Sequence, residues 1–220
     1  SVSERLIAEA LHPYPRGLTI ATKGGLTRPG PNKWVPDGRP EHLRAALEGS
    51  LQRLKAQQID LYQLHTPDPK VPYADSVGEI ARLQKEGKIR HVGISNVDVE
   101  QLAQAQSLVK VVSVQNRYNV ADRGSEAVLQ ACEKAGIAFI PWGPLARMSL
   151  GSQSGNASLG ALTAIAQARG LEMSQALLGW LLAKSKVMLP IPGTSKVEHL
   201  EENVAAAKLK FTTEETQRIG

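Results

Sequence analysis

The sequence predicts an α/β fold whose parallel strands close into a barrel. Three observations predict it. Short β-branched apolar runs alternate with longer segments of helical period along the 220 residues, the rhythm of right-handed crossovers onto a parallel sheet. Several runs are almost continuously apolar, as expected of strands buried on both faces. No Gly-x-Gly-x-x-Gly follows any strand, which removes the main signature of an open nucleotide-binding sheet. Polar residues gather instead where the strands end, at the rim where barrels carry their sites.

In chain order, the first strand is Leu18–Lys23, followed by a loose segment, Leu26–Gly38. Pro40–Leu54 reads as a helix because Leu43, Leu47, Leu51 and Leu54 share one face. The strand Ile59–His65 leads to a helix over Tyr73–Glu86, with Val77, Ile80 and Leu83 as its stripe. The strand Ile89–Ile94 precedes a helix marked by Leu102, Ala105 and Leu108. The strand Val111–Gln115 precedes one marked by Val128, Leu129 and Cys132, closed by Gly136. After the strand Ile137–Trp142 comes a second loose segment, Ala146–Ala157. Both loose segments are expected to cover a cofactor or substrate. A helical pair, Leu159–Ala168 and Ser174–Lys184, surrounds Gly170; the strand Val187–Ile191 and helices near Val197–Ala206 and Thr213–Ile219 close the chain.

Composition narrows the function. With 42% hydrophobic and 21% charged residues the chain reads as an ordinary globular one, expected to form a single β/α-barrel domain over residues 1–220. One cysteine, Cys132, excludes an internal disulfide framework and fits a reducing, cytoplasmic setting. No apolar run reaches membrane-spanning length, and Ser1–Glu9 carries no signal-peptide pattern. The net charge of +5 is scattered among acidic residues, as in Gln84–Arg90, so neither a nucleic-acid nor a membrane partner is expected.

The strand ends carry the chemistry. Lys23 closes the first strand and His65 the second. Taken singly, Lys23 reads as a solvent-facing lysine at a loop edge and His65 as a satisfied core histidine. The next ends present Ser95–Asn96, Gln115–Asn116, Trp142–Gly143 and Gly193–Thr194–Ser195–Lys196. A hydroxyl and two amides, from Ser95, Asn96 and Gln115, suit a carboxamide. Trp142 offers a flat face to a heteroaromatic ring. Leu189–Asn203 reads as strand, loop and helix, with backbone N–H groups, hydroxyls and an ammonium converging on a phosphate. Together these groups point to a nicotinamide dinucleotide. No metal-ligand set is expected. Trp34 reads as a pocket-lining residue or an exterior cap.

These pieces resemble the aldo-keto reductase family. The likeness lies in Thr22–Lys23, Asp60–Leu61–Tyr62 through His65, Gly87–Lys88–Ile89–Arg90 through Ser95–Asn96, Gln115 through Asn119, Trp142–Gly143–Pro144–Leu145, and Ile191–Pro192–Gly193–Thr194 through Glu202–Asn203. It implies a (β/α)8 TIM-type barrel, of which six strands are visible here. It also implies NADP(H) as cofactor and a small-molecule aldehyde or ketone as substrate, reduced by hydride transfer. By this resemblance Ser95, Asn96 and Gln115 hold the carboxamide and Trp142 stacks on the nicotinamide. Gly143, Leu145 and the following loop cover the pyrophosphate. Gly193, Thr194, Ser195 and Lys196 take the 2′-phosphate, and His199, Glu202 and Asn203 the adenine side. His199 stands where many members have arginine.

In the family's catalytic set, Lys23 matches the lysine and His65 the histidine. Its tyrosine and aspartate belong to a stretch resembling Asp-Thr-Ala-x-x-Tyr-Gly, preceding a helix that Ser3–Leu11 matches through Leu6, Ile7 and Ala10. The expectation is a chain that begins after the first two βα units, with catalysis dependent on a preceding segment. The alternative is a non-catalytic NADP(H)-binding or regulatory barrel. Tyr14, in His12–Pro13–Tyr14–Pro15, is not assigned the acid's role.

Overall fold

The computed structural model describes residues 1–145 and 156–220. The chain divides into two compact units, Ser1–Val114 and Gln115–Gly220.

The first unit opens with α1 (Val2–Leu11), β1 (Ala21–Gly24) and a hairpin of β2 (Leu26–Gly30) and β3 (Lys33–Pro36). It continues through α2 (Pro40–Leu54), β4 (Ile59–Leu64), α3 (Tyr73–Lys85), β5 (Ile89–Ser95), α4 (Val99–Leu108) and β6 (Val111–Gln115). The sheet order is β1–β4–β5–β6, with β1 parallel to β4 and β4 parallel to β5. Ile59, Tyr62, Leu64, Ile89, Val92 and Ile94 are buried, and Leu43, Leu47, Val77, Ile80, Leu83 and Leu102 from the helices pack the same core. Helix limits follow local chemistry. Pro40 sits in the first turn of α2, and left-handed Lys55 ends it. Asp98 and Gln101 form a capping box on α4.

The second unit contains α5 (Glu126–Ala135), β7 (Ala138–Phe139), α6 (Ala157–Ala168), α7 (Met173–Lys184), α8 (Val197–Ala205), a 3-10 turn (Ala206–Lys208) and α9 (Thr213–Ile219). Gly136 ends α5 in the left-handed conformation, as the sequence predicts. Its core gathers Leu129, Cys132, Phe139, Leu162, Ile165, Leu177 and Leu181. Tyr118 stacks on Trp180 and meets Phe139 edge-on. Helix α8 buries none of its residues, and Val197, Leu200 and Val204 are all exposed.

Three expectations change. Leu26–Gly38 is not a loose loop but the β2–β3 hairpin, turned at left-handed Asn32 and tied by the Thr27 hydroxyl donating to the Val35 carbonyl at 3.0 Å. Val187–Ile191 is not a strand. Met188 bridges Phe139 in parallel, but Pro190 and Pro192 have no N–H with which to extend a ladder. The phosphate segment Leu189–Asn203 is therefore extended chain leading to α8 at Val197. Of the expected covering loop Ala146–Ala157, residues 146–155 lie outside the described residues.

Candidate active site and nucleotide cavity

In the first unit, strand register aligns the chemistry. Gly24 pairs with Leu64 and Leu64 with Ile94, so Lys23, His65, Ser95 and Asn96 come to the same C-terminal end of the sheet. The backbone N–H of His65 donates to the Gly24 carbonyl at 2.8 Å. Asn96, left-handed at φ 58°, turns its side-chain N–H to the carbonyl of His65 and the hydroxyl of Ser95, each at 3.0 Å. An asparagine tolerates this backbone better than most residues.

Electrostatics separates the two titratable groups. Burial pulls the Lys23 ammonium below the usual lysine range. Burial, with the Lys23 charge adding to it, pushes His65 down to about 4. At neutral pH His65 is a neutral imidazole, able to donate one N–H and accept at its other nitrogen. Tyr62, on β4, has its hydroxyl buried with no hydrogen-bond partner among the described residues. Burial drives its pKa strongly upward, which disqualifies it as a proton donor. The Tyr14 hydroxyl donates to the Leu54 carbonyl at 2.7 Å, occupied structurally. The Trp34 ring centroid lies 6.5 Å from that of His65.

The second unit begins with Gln115, the last residue of β6, and Asn116, both buried. The Asn116 amide donates to the Ser125 hydroxyl at 3.3 Å, and its carbonyl accepts from the Trp142 N–H at 2.9 Å. Asn119 fixes the next turn by donating to the Gly143 carbonyl at 3.0 Å. Trp142 is 36% exposed, with the Arg117 guanidinium 5.5 Å from its ring centroid.

A cavity of about 300 Å³ lies between the Gly193–Thr194 loop and the starts of α7 and α8, lined by Leu145, Gly193, Thr194, His199, Glu202 and Asn203 together with Glu172, Met173 and Ser174. Ser195 and Lys196 are exposed outside that lining, and the Thr194 hydroxyl accepts from the Lys196 N–H at 3.1 Å. Among the described residues, the lining brings two carboxylates and one imidazole, and neither lysine nor arginine. Sequence reasoning missed Glu172, Met173 and Ser174. Their signal is the Glu172…Gln175 spacing at the head of α7, where Gln175 accepts from the Glu172 N–H at 3.3 Å.

Solved structures sharing this architecture define the class: oxidoreductases on a TIM-type barrel. A thermostable aldo-keto reductase bound to the inhibitor epalrestat superposes with a TM-score of 0.84 at 31% identity, covering 99% of this chain and 76% of that one. A glycerol dehydrogenase of Gluconobacter oxydans superposes with a TM-score of 0.87 at 26% identity, covering 99% and 75%. The family model for the Aldo/keto reductase family matches residues 1–220, and the chain belongs to that family. An uncharacterized oxidoreductase of Schizosaccharomyces pombe is 53% identical over 97% of this chain and 68% of its own length. Pyridoxine 4-dehydrogenase of Escherichia coli is 36% identical over 97% of this chain and 74% of its own.

Proposed function

We propose that the protein binds NADP(H) and reduces an aldehyde or ketone by hydride transfer from the nicotinamide. The observation that carries this reading is the second-unit cavity, whose lining includes five of the residues expected at the adenosine end, with Leu145 from the pyrophosphate side. Its chemistry suits a nucleoside. Leu145 and Met173 are apolar walls, Ser174 and Thr194 bring hydroxyls, Asn203 brings an amide, and at Gly193 the backbone is open, with no atom within 4 Å of where a Cβ would stand. Thr194, Ser195 and Lys196 are the proposed partners of the 2′-phosphate, with His199, Glu202 and Asn203 on the adenine side. Gly143 and Leu145 are proposed beside the pyrophosphate, Trp142 against the nicotinamide ring, and Ser95, Asn96 and Gln115 at its carboxamide.

The bound cofactor supplies the hydride. In the first unit, Lys23 and His65 stabilise the carbonyl oxygen as negative charge builds on it. Because His65 titrates at about 4, it serves at neutral pH as a neutral N–H donor. Lys23, in family terms, lowers the pKa of the tyrosine that protonates the oxygen. The proposal therefore requires a tyrosine and an aspartate from a segment preceding Ser1. A cytoplasmic setting belongs to the same proposal, since Cys132 is a buried free thiol; microscopy of a tagged chain checks it.

The test combines binding with turnover. Tryptophan fluorescence should quench on adding NADPH and lose that response in Trp142→Phe. NADPH oxidation with a reactive aldehyde should then proceed in a chain extended at its N-terminus. Absence of quenching overturns the reading. Quenching without turnover by the extended chain replaces it with the non-catalytic NADP(H)-binding barrel.

A further inference from the structure

Neither Arg28 nor Trp34 has a part in the steps above. Both sit on the β2–β3 hairpin, which follows β1 with only Gly25 between them and is closed at its base by the Asp37 N–H donating to the Gly25 carbonyl at 3.0 Å. The hairpin stands beside the reactive end of the first unit: the Trp34 ring lies 6.5 Å from the His65 ring, inclined at 59°. The Arg28 guanidinium stacks on the same indole, 4.1 Å from its centroid. Trp34 is 53% exposed, and Arg28 is exposed.

Stacking engages the face of a guanidinium and leaves its in-plane N–H fork available for the two oxygens of a carboxylate. It also holds the side chain in place, which lowers the ordering cost of binding. Among the described residues, no carboxylate pairs with Arg28. The two nearest in sequence, Asp37 and Glu41, are committed elsewhere: both take the Arg39 guanidinium, at 2.8 Å and 3.4 Å. Lys23 and Lys33 add positive charge to this end of the unit without an acidic partner among the described residues.

We propose that the hairpin selects carbonyl substrates bearing a carboxylate. The carbonyl oxygen lies at Lys23 and His65, the hydrocarbon middle lies against Trp34, and the carboxylate is held by Arg28. This assignment rests on the carbonyl-reductase reading and narrows its substrate class to aldehyde acids and keto acids.

The test compares 4-carboxybenzaldehyde with 4-methylbenzaldehyde, two rings alike in size and unlike in charge. The acid should be used with a kcat/KM roughly tenfold higher, the difference lying mainly in KM, as one charge-assisted contact warrants. Arg28→Gln should bring the ratio close to one. Lys85→Gln, the same loss of charge on α3, should leave the ratio in place. Equal use of the two aldehydes, or a preference that survives Arg28→Gln, overturns the proposal. These rates are read in the chain extended at its N-terminus; if that chain turns over neither aldehyde, the reductase reading fails, and calorimetric titration with the same pair decides the anion site. Tighter binding of the acid, lost in Arg28→Gln, sustains it; equal binding overturns it.

Discussion

At the scale of single residues, the site's neighbourhood is built on close approach. A methyl group at Gly24 would run into the hydroxyl and ring of Tyr62, so β1 and β4 meet there only because the position is glycine. Gly24→Ala is expected to destabilise by about 2–3 kcal/mol, read by chemical denaturation. The Tyr62 hydroxyl is buried without a partner among the described residues, so Tyr62→Phe removes a desolvated group at little or no cost. It also relieves the contact, and the double variant should be more stable than the sum of the two singles predicts. Charge acts at the same scale between Lys23 and His65. Burial is the first cause of the low His65 pKa and the Lys23 charge the second. In Lys23→Met, the imidazole titration followed by NMR should therefore move up from about 4 yet stay below the ordinary 6.5 or so. No movement would show that the two groups do not sense each other.

At the scale of elements, Glu4 ties α1, β1 and α2 together. Its buried carboxylate accepts from the Thr22 hydroxyl at 2.6 Å, the Ser50 hydroxyl at 2.8 Å and the Arg53 guanidinium at 2.6 Å. Burial alone would raise its pKa; the bonds from Thr22, Arg53 and Ser50 outweigh burial and hold it at about 2. A carboxyl whose pKa is lowered on folding contributes stability that is full above its unfolded value, near 4.5 here, and is lost as pH falls through the folded one. The contribution is on the order of 3 kcal/mol at most. Glu4→Gln should be less stable at neutral pH by a sizeable part of that, with a flatter acid limb between about pH 4.5 and 2. Parallel wild-type and variant profiles would refute the assignment. A second such tie joins α2 to α3, where Arg44 binds buried Glu79 at 2.8 Å and Glu86 at 2.6 Å.

At the scale of the whole molecule, the fold was legible where one physical signal dominated. Leucines at helical spacing gave α2 as Pro40–Leu54, and a closing glycine gave the end of α5. Continuous apolar runs gave β4, β5 and β6 to within a residue or so. What was not legible had competing signals. Leu26–Gly38 holds three prolines and two glycines, the vocabulary of loops, yet Thr27 and Val35 pair across a turn that left-handed Asn32 closes. Val187–Ile191 is apolar enough for a strand, but Pro190 within it and Pro192 just after it forbid one. Among the candidate site residues, those at strand ends were readable because a parallel sheet delivers them to one rim. Glu172, Met173 and Ser174 were not, because the N-terminus of a helix reveals its cap in sequence but not the cavity it faces.

One feature of the second unit bears on the thermodynamics of ligand capture. Helix α8 carries His199, Glu202 and Asn203, has no buried residue, and begins at Lys196 without a side-chain cap. Nine residues are too few to hold a helix by propensity alone, so this segment sits low on the local stability scale. A nucleotide that binds there must also consolidate the helix, and part of its intrinsic binding energy goes into that ordering. Titration calorimetry with NADPH at several temperatures should give a heat-capacity change more negative than the ligand's own buried area accounts for. A change matching that area alone would mean the helix is already fully formed before the nucleotide arrives.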